Sequence, residues 1–105
     1  MKNLIDYRNL KIRLTDERMA HIQEHPEMRG LEEAIEDTLL NPDCVIQSRS
    51  DDQANLYYRF YAQTSVGGKF LCVIVKVLEN DAFVLTAYLT DKVKDGEKIL
   101  WNKKT

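Results

Sequence analysis

Two histidines and one arginine are the side chains best suited to acid–base and anion chemistry in this chain. His21 and His25 are four residues apart, which on a helix places them on one side, with Arg18 a turn before His21. Imidazole changes charge near neutral pH, so His21, reaching from a helix over a sheet edge, can serve as general acid or base. The plainer reading is a surface histidine on an amphipathic helix, and for His25, before Pro26, that is the preferred one. An HxxxH pair can also hold zinc, but the glutamate that follows the first histidine in the HExxH pattern is replaced here by Ile22, and no metal is expected. Arg59 sits between Tyr57 and Tyr61 at strand spacing. A guanidinium there can grip a phosphate with two prongs while Tyr57 and Tyr61 stack bases. Tyrosines are equally common strand residues, and an arginine between them often only covers their rings. Thr86 and Tyr88 add further hydroxyl groups.

These side chains need elements to carry them. Phe83 to Thr90 alternates Phe83, Leu85, Ala87 and Leu89 with Val84, Thr86, Tyr88 and Thr90, which predicts a strand with one apolar face. Phe70 to Leu78 is apolar except for Lys76 and reads as a central strand covered on both faces, joined to the last strand through Glu79-Asn80-Asp81-Ala82. Leu56 to Gln63 is a third strand, with Leu56, Tyr58, Phe60 and Ala62 on one face and Tyr57, Arg59, Tyr61 and Gln63 on the other. Gly67-Gly68 turns it into the apolar strand. Cys44 to Arg49 reads as a fourth strand, and Leu10, Ile12 and Leu14 as a half-exposed one after a polar lead.

Thr15 or Asp16 can cap a helix running to His25-Pro26, and Gly30 separates it from a second helix marked by Leu31, Ile35 and Leu39 and ended by Asn41-Pro42. The order is β-α-α-β-β-β-β. It predicts an α+β fold, a mainly antiparallel sheet with two N-terminal helices packed on one face. With the helices on the Phe60 and Leu85 side, Arg59, Tyr57, Tyr61, Thr86 and Tyr88 all fall on the opposite, open side.

The 105 residues fit one domain with a single core. The composition, 44% hydrophobic and 30% charged, is that of a soluble globular protein, and no apolar run reaches the roughly 20 residues a membrane span requires. The first residues lack the apolar segment of a signal peptide, and a cytoplasmic location is expected. Cys44 and Cys72 belong to no CxxC or Cys/His cluster and read as reduced core residues. A net charge of −2 argues against holding long nucleic acid by charge alone. Residues 1–50 carry ten acids and seven bases, residues 51–105 seven and eight, so an anionic ligand should prefer the second half. Lys103 and Lys104 read as part of a fraying tail.

Several blocks together carry a resemblance: Ile12 to Arg18, His21 to Met28, Asn41-Pro42-Asp43, Tyr57-Tyr58-Arg59, Val84 to Asp91, and Gly96-Glu97 with Leu100-Trp101. Their order and spacing, from about Leu10 to Trp101, resemble the phage and mobile-element branch of the BECR superfamily, which groups barnase, EndoU, colicin-type and RelE-like nucleases. The resemblance implies a small ribonuclease of toxin or phage-accessory type that needs no metal or other cofactor. RNA would be its substrate and a neutralising protein its partner. By that pattern His21 moves protons, Arg59 stabilises charge on the phosphoryl oxygens, and Thr86 with Tyr88 orients RNA for attack of the ribose 2′-hydroxyl on the adjacent phosphate. The alternative is a noncatalytic module that keeps the fold and binds a protein.

Overall fold

The computed structural model describes residues 1–94 and 98–103. Gly96 and Glu97 of the closing motif, and Lys104, lie outside the described residues. Seven strands, β1 (Lys2–Ile5), β2 (Lys11–Leu14), β3 (Cys44–Gln47), β4 (Ala54–Tyr61), β5 (Lys69–Val77), β6 (Ala82–Thr90) and β7 (Lys98–Asn102), form one sheet in the order β1-β2-β6-β5-β4-β3-β7. Every pairing is antiparallel except β2 with β6, which are parallel and meet in register only at Arg13 and Phe83. Two helices, α1 (Asp16–Ile22) and α2 (Glu32–Leu40), and a 3-10 turn at Pro26–Met28 separate β2 from β3. The fold is therefore α+β with a mostly antiparallel sheet. No helix among the described residues is long and apolar enough to cross a membrane.

Strands β1 and β7 extend the expected order at both ends. The polar lead becomes β1 because Leu4 is drawn into the core and the strand pairs with β2 from Lys2 opposite Leu14 to Ile5 opposite Lys11. Strand β7 pairs with β3, and the Lys103 N–H donates to Asp43 O at 2.9 Å, so Lys103 is anchored rather than frayed.

Local chemistry sets the helix limits. The Thr15 hydroxyl accepts from the Arg18 N–H at 3.1 Å and caps α1, a contact worth about 1 kcal/mol. Helix α1 then ends at Ile22, short of the expected His25. His25 is extended, since a residue before proline is pushed out of the helical region. Gly30, at φ +83°, makes the left-handed turn into α2.

One face of the sheet meets the helices. Ile22, Met28, Ile35 and Leu39 pack with Ile12, Leu14, Val45, Tyr57, Leu71, Val73, Val75, Val84 and Ala87 in the larger core. Full burial of each large aliphatic side chain contributes about 1.5–3 kcal/mol. On the other face Ile46, Leu56, Tyr58 and Cys72 form a smaller buried cluster, with Cys44, Phe70, Ile74, Tyr88 and Val93 packed against it.

In β4 this division reverses the expected one, whereas in β6 Ala87 and Leu89 face the helices and Tyr88 the open side, as expected. Phe60 is 49% exposed on the open face, while Tyr57, on the alternate face of β4, is wholly buried in the helix-side core. Strict alternation also fails in β6. Ile74 pairs with Thr86 but Val75 pairs with Val84, so Leu85 is an extra residue, and Val84 and Ala87 reach the same core although three apart.

Candidate functional site

The expected site residues are dispersed. Arg59 lies on the helix side, where its Nη1 donates to Asn41 O at 2.6 Å and its Nε lies 3.3 Å from Asp37 Oδ2, with its guanidinium 5.8 Å from the Tyr61 ring centre. Tyr61 Oη donates to Ala34 O at 3.0 Å and meets Thr38 Oγ1 at 3.1 Å. Both residues tie β4 to α2. Tyr57 Oη donates to Asp6 Oδ2 at 2.6 Å inside the core, so no base can stack on it. The same Asp6 carboxyl group accepts from the N–H groups of Arg8 and Leu10 and closes the turn between β1 and β2.

Thr86 and Tyr88 belong to the opposite, open face, paired with Ile74 and Cys72. The expectation that Arg59, Thr86 and Tyr88 share a face is thus not met. It failed at β4: Thr86 and Tyr88 face away from the helices as expected, but the register sets Arg59 beside Leu71 and Leu89 on the helix side and Tyr58 beside Cys72 and Tyr88 on the open one.

His21 is exposed on α1 with Nδ1 3.5 Å from Glu24 Oε2, and the hollow it lines is built from Glu17, Arg18, Ala20 and Glu24 of α1 and the turn that follows it. His25 lies past the helix end, so the two histidines do not share a helix face.

His25, not His21, lines a hollow together with Tyr88. A cavity of about 270 Å³ lies where the 3-10 turn crosses the end of β6, lined by His25, Glu27, Met28, Val66, Lys69, Tyr88 and Leu89. Its position follows from the topology. Strand β2 pairs with β6 only at Phe83, so the second half of β6 has no β2 partner, and the 3-10 turn packs there instead. His25 Nδ1 is 3.8 Å from Glu27 Oε1. Lys69 forms an ion pair with Asp91. A histidine, a lysine and a glutamate thus share the lining of one hollow with a tyrosine.

Burial is the main cause that raises the Tyr88 phenol well above its ordinary value, with further contributions from Cys72, so this hydroxyl stays protonated. Burial likewise pushes the Cys72 thiol up to about 11. Cys44 and Cys72 both pair with Tyr58, on either side of it, and two strand spacings of about 4.8 Å each are too far for a disulfide.

A larger hollow of about 670 Å³ along α2 is lined by Glu33, Glu36, Asp37, Tyr61 and Lys2, among others. Three carboxylates against one lysine repel phosphate, so its size does not make it the reaction site. Lys69 was not singled out from sequence. Its only signal is a cation on the first residue of an apolar strand, directly after Gly67-Gly68.

No family model, curated protein or solved structure matches this chain.

Proposed function

We propose that the chain is a small metal-independent ribonuclease whose reaction centre is the cavity between the 3-10 turn and the ends of β5 and β6. The observation that carries the reading is that His25, Lys69, Glu27 and Tyr88 line one hollow. In this reading His25 accepts the ribose 2′-hydroxyl proton, and the 2′-oxygen bonds to phosphorus as the 5′-oxygen leaves. The imidazole is exposed enough for solvent to return a proton to the departing oxygen. Glu27 Oε1 lies 3.8 Å from His25 Nδ1, on the side of the ring that it can orient. Lys69 faces the charge that grows on the phosphoryl oxygens, and Asp91 keeps it in place. Arg59 becomes a structural clamp between β4 and α2.

The test is single-turnover cleavage of mixed RNA by folded variants. His25→Ala should lower the rate roughly 10²–10⁴-fold and Lys69→Ala about 10²-fold or more. Neither should change stability much, because His25 is exposed and Lys69 pairs with an exposed aspartate. A second reading, a noncatalytic interaction module, draws support from the acidic hollow along α2, which suits a basic protein segment. Equal rates for wild type and both variants would put that reading in front.

A further inference from the structure

We infer that the half-exposed ring of Phe60 is a stacking platform for a base of single-stranded RNA, reached from the cavity along a line of aromatic side chains on the open face. The inference rests on the ribonuclease reading and concerns the substrate beyond the scissile phosphate. Tyr88 lines the cavity. Phe70 pairs with Thr90, one pleat on from the Cys72–Tyr88 pair, and packs with Tyr88 against the same open-face cluster. Phe60 pairs in turn with Phe70, their rings edge to face at 5.3 Å.

The Phe60 ring is held as well as exposed. A Cβ at Gly68 would come within 3.1 Å of Phe60 Cζ, so the ring lies close over that glycine, with Phe70 against its side. A fixed aromatic surface gives stacking at little entropic cost. Charge points to an anionic occupant. Lys92 and Lys94 are exposed on either side of Val93, which packs on the open-face cluster. Cations beside an aromatic line suit a chain of alternating phosphates and bases, whereas an apolar protein surface would have to desolvate them.

The test is fluorescence anisotropy with a labelled 2′-O-methyl oligoadenylate, which cannot be cleaved by 2′-hydroxyl attack, and with an abasic oligomer of equal length. Phe60→Ala should weaken oligoadenylate binding roughly 5- to 150-fold, Phe60→Leu should behave like it, and Phe60→Trp should hold close to wild-type affinity. The abasic oligomer should bind all four proteins alike. Wild-type affinity in Phe60→Ala, alongside slow cleavage by His25→Ala, would overturn the platform and leave the ribonuclease reading intact. Normal cleavage by His25→Ala with a Phe60-dependent affinity would keep the platform and remove the reaction centre. Phe60→Leu binding as wild type does, or a change in self-association by sedimentation with RNA affinity unchanged, would assign the ring to a protein contact and overturn the inference. Failure of the wild type to bind RNA would overturn it together with the ribonuclease reading.

Discussion

Tyr57 and Tyr58 are neighbours in β4 and both are fully buried, yet their hydroxyl groups sit in opposite surroundings. Tyr57 donates to Asp6 at 2.6 Å on the helix side, in a cluster where the Arg8 guanidinium and two N–H groups bind the same carboxyl group. Tyr58 points to the open face, where the Cys72 thiol and the main chain of Lys94 are its polar neighbours, but among the described residues no hydrogen bond closes on its Oη. Buried polar groups are nearly always paired, and the helix side obeys that rule closely. The difference separates two tasks. The helix side holds the N-terminal strands to the sheet, and the open face, which runs through Tyr88 to the cavity, leaves polar capacity unused.

The sharpest way to break this comparison is to remove Asp6. Asp6→Ala leaves the Tyr57 hydroxyl and two main-chain N–H groups without their partner, and should cost about 3–5 kcal/mol in denaturant unfolding. A loss below about 1 kcal/mol would show that the helix-side cluster contributes little.

The two tyrosines then allow a matched pair of smaller changes. Tyr57→Phe should cost about 1–2 kcal/mol, since Asp6 keeps its other donors, whereas Tyr58→Phe should be neutral or slightly stabilising because its hydroxyl closes no hydrogen bond among the described residues. Equal losses in the two variants would erase the distinction between the faces.

The smallest effect is one of pH. Burial raises the Cys72 thiol to about 11, above its ordinary value of 9.0. A group whose folded value is raised contributes stability that is fully present below the unfolded value and is lost as pH rises toward the folded one. Unfolding free energy should therefore fall between about pH 9 and 11, and Cys72→Ala should flatten that fall. The buried tyrosines, raised in the same direction, should keep part of the slope.

Much of the candidate site was legible as residue types but not as an arrangement. The alternation in β4 correctly separated Tyr57, Arg59 and Tyr61 from Tyr58 and Phe60. What it could not reveal was the side the helices take, because each face of β4 buries apolar groups and the choice is made by Asp37, Thr38 and Ala34 of α2 and by Asp6, all distant in sequence. His25 was passed over because its place before Pro26, at the end of α1, suggested a surface histidine, while the 3-10 turn that Pro26 opens packs against β6.

Sequence alone therefore determined what short-range chemistry dictates. A cap at Thr15 or Asp16, the end of α1 before Pro26, the apolar repeat of α2 and the long strands β4, β5 and β6 follow from periods and turn residues within a few positions of each other. The bulge at Leu85, the pairing of β7 with β3, the burial of Asp6 against Tyr57, and the hollow shared by His25, Lys69 and Tyr88 came from tertiary packing. Each of these is settled by which distant segments can satisfy one another's hydrogen bonds and fill one another's space, and no local pattern encodes that choice.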